Sequence, residues 1–212
     1  MLIHEWDAGS EEEWRSYLAG HGFGELVAGG RDRDVPVVVP TQFVLSGDEI
    51  LVHFVRQNPI WEAVAENPTV LLSVSGDWAF VPSAWKATGD EDPLLGIPTT
   101  YYASVQLTGT AEVIDDLEGV AEVLRTQLAS LQPGVDVADP GEHGARLRAI
   151  RAMRIRVSDV RAKFKYGGNV DEAHRLAVAG LLERRDGPGD AAAAAHLRRR
   201  LDREPVSPGA SS

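Results

Sequence analysis

His53-Phe-Val-Arg-Gln-Asn-Pro-Ile-Trp61 closes the apolar run Glu49–Phe54, and the reading of the chain turns on it. A strand stops here and a helix starts. Asn58 is a good helix N-cap, and Pro59 suits the first helical position because its missing N–H would have no intrahelical partner there. The junction leaves backbone N–H groups beside Arg56, a favourable place for an anionic group. His53, a strand-length upstream, can hydrogen-bond or ligate a metal through either ring nitrogen. A plainer reading, a half-buried strand histidine and a solvated arginine, fits the spacing equally well. The surrounding segments decide between the two.

Upstream, Ser10-Glu-Glu-Glu opens a short helix through Trp14–Leu18, His21-Gly-Phe-Gly24 breaks it, and Glu25–Ala28 is a strand. Val35–Val44 is rich in β-branched residues and is expected to form a hairpin with Glu49–Val55 across the Ser46-Gly-Asp turn. Downstream, Pro59–Glu66 is a short helix ended by Asn67-Pro68. Thr69–Ser75, a Gly76-Asp77 turn and Trp78–Val81 predict a second hairpin. Residues 82–98 form a long irregular segment with three prolines, a length often used for lids and binding loops. Thr99–Ile114 is a long strand with Gly109 as a bulge, and Asp115–Leu131 spaces Val120, Val123, Leu124 and Leu128 on one helical face. Glu142–Ala152 predicts a second helix, Met153–Val157 a strand and Asp171–Arg185 a terminal helix. Beyond Asp186 the composition turns to Gly, Pro, Ala and Arg. Residues 1–185 are thus expected to be one domain and 186–212 a flexible tail outside the core, with Ala191–Arg200 transiently helical. Many strands with short turns and inserted helices describe a mainly β fold, an antiparallel barrel with helical decoration.

Composition sets limits. The chain has 212 residues, enough for a sizeable core, and no run approaches the ~18 apolar residues of a membrane span. No secretory signal is visible at Met1-Leu-Ile-His-Glu-Trp6, so a cytoplasmic location is expected. With no cysteine there are no disulfides, thiolate ligands or cysteine nucleophile. A net charge of −11 argues against a general nucleic-acid binder. Eight of the 21 cationic residues nevertheless fall between Arg146 and Lys165, with Asp159 the only acid there. Such a strip suits an anionic cofactor or an interface at least as well as DNA.

No local metal, nucleophile or phosphate-loop motif is present. The six histidines are dispersed, so a clustered metal site would need distant segments to converge. A single axial histidine to haem would not, since the porphyrin supplies four ligands. Lys163-Phe-Lys-Tyr-Gly-Gly-Asn169 places two lysines on one side of a strand end, ahead of a Gly-Gly turn and an asparagine, where they could grip a phosphate or carboxylate. Pro98-Thr-Thr-Tyr-Tyr102 offers hydroxyls on both faces of the long strand. Ordinary turn and packing roles fit both segments as well.

Taken in order, these pieces resemble the PaiB-like branch of the FMN-binding split-barrel superfamily. The likeness runs from His21-Gly-Phe to Leu182. It is carried by Pro40-Thr41, the His53…Arg56-x-Asn58-Pro59-x-Trp61 segment, Val81-Pro-Ser with Trp85, Ile97-Pro-Thr99, Gly109 with Val113-Ile-Asp115, and Lys163-Phe-Lys165 with Asn169. The resemblance implies a split antiparallel β-barrel that dimerises and holds a planar cofactor at the subunit interface. Two departures matter: Thr100-Tyr101-Tyr102 stands where members typically carry Trp-Asn-Tyr, and Tyr166-Gly167-Gly168 replaces Leu-Ser-Gln. In both the chain is similar to the piperazate synthases, members that bind haem and cyclise N5-hydroxy-L-ornithine through an N–N bond.

The resemblance extends to individual site residues and implies a role for each. His53 would be the axial haem ligand, with Thr41, Arg56, Asn58 and Lys163 also on the cofactor. Arg56 and the Lys163/Lys165 pair would meet haem propionates or a substrate carboxylate. Tyr101, Tyr102 and Lys165 are the catalytic candidates, and Trp85, Thr99 and Asn169 the substrate-binding ones. A flavin alternative on the same fold would place the FMN phosphate at Arg56 and the Asn58/Pro59 helix start, with Thr41 at the isoalloxazine edge. A third reading, a PaiB-type regulator or ligand-binding protein without turnover, has only the Arg146–Lys165 strip in its favour.

Overall fold

The computed structural model describes residues 1–87, 89 and 91–199. Seven strands form one sheet in the order β2-β1-β5-β6-β7-β4-β3. They are β1 (Phe23–Ala28), β2 (Val37–Gln42), β3 (Val44–Ser46), β4 (Glu49–Val55), β5 (Thr69–Val81), β6 (Thr99–Ile114) and β7 (Ile150–Lys165). The helices are α1 (Glu11–Gly20), α2 (Ile60–Glu66), α3 (Ser83–Lys86), α4 (Leu117–Leu131), α5 (Ala145–Arg148), α6 (Glu172–Arg185) and α7 (Asp190–Arg199). The fold is mainly β with helices, and the β1–β2, β1–β5, β3–β4 and β4–β7 pairings are antiparallel. Among the described residues no helix is long and apolar enough to cross a membrane.

By internal contacts the described residues divide into two units: Met1–Trp14, Ser75–Val105 and Arg161–Arg199 in the first, Arg15–Val74 and Gln106–Val160 in the second. In the second unit, Ile50, Val52 and Phe54 alternate with Leu51 and His53 along β4, so the strand has two different faces. Leu51 joins a buried cluster with Ala152, Ile114 and α4's Val120, Ala121 and Val123. This is the apolar helical face anticipated from the sequence. Asp116 caps α4 by accepting the Gly119 N–H at 2.8 Å.

In the first unit α6 and α7 pack together, burying Val178, Ala179 and Leu182 of one and Ala193, Ala194 and Leu197 of the other. Residues 190–199 are therefore not part of a flexible tail, while 200–212 lie outside the described residues. The alanines of α7 are read too easily as low-complexity sequence. Here small side chains allow close helix packing, and Arg185 forks onto the buried Asp190 carboxylate at 2.5 and 2.7 Å to hold the turn.

Three further expectations are corrected. The Val35–Val44 segment breaks at Phe43: β2 pairs with β1, and only the short β3 forms the hairpin with β4. Thr69–Val81 is one strand rather than a hairpin: Asp77 takes the left-handed φ of 50° as a local irregularity within it, and its carbonyl accepts the Tyr166 hydroxyl at 2.8 Å. Glu142–Ala152 is not a helix. Gly144, at φ 55°, separates a 3₁₀ turn (Pro140–His143) from the single turn α5, and Ile150 and Ala152 already pair with Val55 and His53 on β4.

Candidate functional site

In the second unit His53 is exposed on β4, opposite Ala152 of β7. Its Nδ1 lies 2.7 Å from Oε1 of Gln127 on α4. Gln127 is buried, 4% exposed, and donates Nε2–H to the Leu51 carbonyl at 3.1 Å. That donation fixes which end of the amide is which. Its oxygen faces the imidazole, so Nδ1 carries the hydrogen, and in the neutral ring Nε2 is the nitrogen with the lone pair. Histidines that ligate metals are commonly oriented by such a bond from the other ring nitrogen. The arrangement fits an axial haem ligand, which needs one basic nitrogen held in a fixed tautomer. Among the described residues no three His, Cys, Asp or Glu side chains gather in a way that could hold a metal ion alone.

The neighbouring candidates are more committed than the sequence suggested. Arg56 pairs with Asp115 at 2.5 Å and donates to the Arg148 carbonyl at 2.5 Å. Asp115 also takes Arg151 at 3.0 Å, and the hydrogen bond from Arg56 leads the causes that hold its carboxyl below the ordinary range. Asn58 accepts the Ile60 N–H on Oδ1 at 3.0 Å. The expected anion position at the start of α2 is thus partly filled by the chain itself. Thr41 is buried on β2, its hydroxyl donating to the Gln42 carbonyl at 3.0 Å.

The first unit contains a cavity of about 600 Å³. Thr99, Tyr101, Lys163, Lys165 and Asn169 line it, so five of the sequence candidates meet there. Lys165 donates to Thr99 Oγ1 at 2.7 Å, while Lys163 donates to the Leu2 carbonyl at 2.9 Å and lies 3.8 Å from the Asp7 carboxylate. Tyr102 presents its ring to both lysine ammoniums, at 5.8 and 5.9 Å from the centroid. Burial pushes the Tyr101 phenol up to about 12. Trp85 is not among the lining residues and instead stacks under Arg185 at 4.9 Å.

Two residues were missed. Gln127 could have been found: it sits at the same helical face as Val120, Val123 and Leu124, and a polar residue on an apolar face needs a reason. Lys86, on α3, also lines the cavity, and no spacing in the sequence marks it out.

Residues 2–159 match the family described as "Putative FMN-binding domain". The chain belongs to this family. Within the matched FMN-binding stretch lie His53, Gln127 and Lys86, whereas Lys163, Lys165 and Asn169 fall beyond it. The chain is 24% identical over 187 residues to "Protease synthase and sporulation protein PAI 2" of Bacillus subtilis, covering 84% of this chain and 86% of that protein. It resembles in fold the flavocytochrome Anf3 of Azotobacter vinelandii, with TM-score 0.59, 23% identity, and coverage of 79% of this chain and 73% of the other. It also resembles the FAD and heme binding protein of Mycobacterium smegmatis, with TM-score 0.59, 22% identity, and coverage of 77% and 75%. The FMN-binding assignment thus agrees with the split-barrel resemblance read from the sequence.

Proposed function

We propose that this member of the FMN-binding family carries haem on His53 and cyclises N5-hydroxy-L-ornithine to L-piperazic acid. The observation that carries the cofactor half is the Leu51–Gln127–His53 chain, which presents a bare Nε2 on an exposed strand face. Two relatives by fold are described as a flavocytochrome and as an FAD and heme binding protein, so the fold itself is compatible with haem. Bound haem would supply a Lewis-acidic iron, able to weaken the N–O bond of a hydroxylamine. The net change forms one N–N bond, breaks one N–O bond and releases water, so it needs no external oxidant. It does need a proton delivered to the departing hydroxyl and one removed from the attacking α-amine. Tyr101 is poorly suited to the delivery, because its phenol is held well above neutral pH and keeps its proton. Like Thr99 and Asn169, it offers a neutral hydrogen-bonding group to whatever the first unit's cavity holds. Lys165 and Tyr102 remain the candidates for proton movement. The protein is taken to act as a homodimer, which sedimentation equilibrium would test.

The spectrum of the purified protein reconstituted with haem tests the reading, and a missing Soret band would sink it. His53→Ala should abolish or strongly shift that band while the circular dichroism stays near wild type, since an exposed strand histidine adds little to the core. A second reading, an FMN-dependent oxidoreductase, is favoured by the family match over residues 2–159. Yellow, fluorescent protein with stoichiometric flavin would establish it instead.

A further inference from the structure

The cavity of the first unit holds three lysines, and they are not equivalent. Lys163 is answered by Asp7 and by the Leu2 carbonyl. Lys86 and Lys165 have no carboxylate partner among the described residues. Lys165 donates to the Thr99 hydroxyl, and Lys86 reaches the Tyr101 hydroxyl at 3.4 Å with its ammonium 5.8 Å from the ring centroid. Burial first, and repulsion from Lys165 second, pull Lys86 below the ordinary lysine range. Two like charges held in one concavity, each answered only by neutral hydroxyls and rings, are an incomplete electrostatic arrangement. An oxyanion beside both would restore the lost solvation and cancel the repulsion together. Thr99, Tyr101 and Asn169 add neutral hydrogen-bonding groups, Leu95, Ile97 and Pro98 an apolar wall, and two carboxylates, Asp7 (which faces Lys163) and Glu91, also line the cavity. The volume of about 600 Å³ suits a small molecule.

We propose that Lys86 and Lys165 form a two-ammonium seat for the carboxylate or phosphate group of a small ligand in this cavity. Neither the haem nor the flavin reading is needed for it, because the seat is built from side chains of the first unit alone. Ligands without an anionic group are rejected, since they would leave both ammoniums unanswered.

The test uses the full-length protein at low salt, titrated by calorimetry with L-ornithine, 1,4-diaminobutane and inorganic phosphate. The diamine is ornithine without its carboxylate. Saturable binding of ornithine, with the diamine at least about tenfold weaker, is the expected result for a carboxylate ligand. Saturable phosphate binding that displaces ornithine supports the same seat filled by a phosphate. Lys86→Met and Lys165→Met should each weaken the bound anion by about tenfold, and Lys86→Arg should retain it better than Lys86→Met. Circular dichroism confirms that the variants fold, with Lys86→Gln as a second substitution if Lys86→Met does not. The proposal is overturned if neither anion saturates, if the diamine binds as well as ornithine, or if Lys86→Met (or Lys86→Gln in its place) binds as wild type. A Soret band in a protein that binds no anion would remove the seat and leave the haem reading standing, and the reverse result would do the opposite.

Discussion

The strand surface around His53 and the cavity around Lys86 treat their basic residues in opposite ways. On β7 and just past β4, Arg56 and Arg151 share Asp115, Arg154 reaches Glu49 and Glu112, and Arg156 reaches Glu112. The imidazole of His53 is fixed by a buried amide. In the cavity, Lys86 and Lys165 meet only hydroxyls and rings. Much of the basic strip that looked like one feature in the sequence is thus a set of closed ion pairs. Charges answered from within serve structure; charges left open are where a ligand gains most.

The sharpest way to break this contrast is Gln127→Leu. It leaves the His53 Nδ1–H and the Leu51 carbonyl without their shared partner, and urea unfolding should show a loss of about 1–3 kcal/mol. If haem binds at His53, its affinity should also fall by about 10–100-fold, read from Soret titration. An unchanged affinity would mean that the amide orients nothing of consequence.

Lys86→Met should act with the opposite sign. Removing a partly buried charge that sits near Lys165 is expected to stabilise the fold by about 0.5–2 kcal/mol in the same measurement, while impairing anion binding. A destabilised Lys86→Met would make the lysine a structural element and erase the difference between the two regions.

Acid should act on a third arrangement, the His196–Asp77 pair. His196 Nε2–H donates to Asp77 at 2.8 Å, and burial holds the imidazole below its usual 6.5, the bond to Asp77 offsetting only part of this. The unfolded chain therefore binds a proton first, so stability is fully present above pH 6.5 and declines as pH falls toward the folded value. Thermal melts from pH 8 to 5, compared with His196→Gln, should show the wild type losing more. The smallest effect is expected from Asp115→Asn. Asp115 is half-exposed, so its two arginine contacts are screened by water and should add little at neutral pH. That little is present above the ordinary carboxyl value of 3.8 and fades as pH drops through the lowered folded one, which melts across pH 5 to 2 would register.

Where the chain writes its structure as a period, the sequence could be read. Val120, Val123 and Leu124 announced α4, and the β-branched runs announced the strands, because burial of one face dictates spacing. Local turn chemistry misled at Gly76-Asp77, where a left-handed residue is absorbed into a continuous strand instead of reversing the chain. Glu142–Ala152 failed because pairing of Ile150 and Ala152 with β4 outweighed their helical spacing. At the site, Thr99, Tyr101, Lys163, Lys165 and Asn169 were legible as two short segments that β6 and β7 bring to one cavity. Lys86 was not, since nothing in Trp85-Lys86-Ala87 distinguishes a cavity lysine from a solvated one. Arg56 and Asn58 were legible as chemistry but not as partners, because Asp115 and Arg148 lie far away in sequence.

The pairing of α6 with α7 also has a consequence in time. During synthesis Val178, Ala179 and Leu182 emerge before the helix that packs with them. At about 5–20 residues per second, the fourteen residues from Asp186 to Arg199 take roughly one to three seconds to follow. Over that interval the nascent chain displays an adhesive stripe, and a premature stop near Asp186 would make the display permanent. Truncated copies should therefore be found with chaperones or in aggregates.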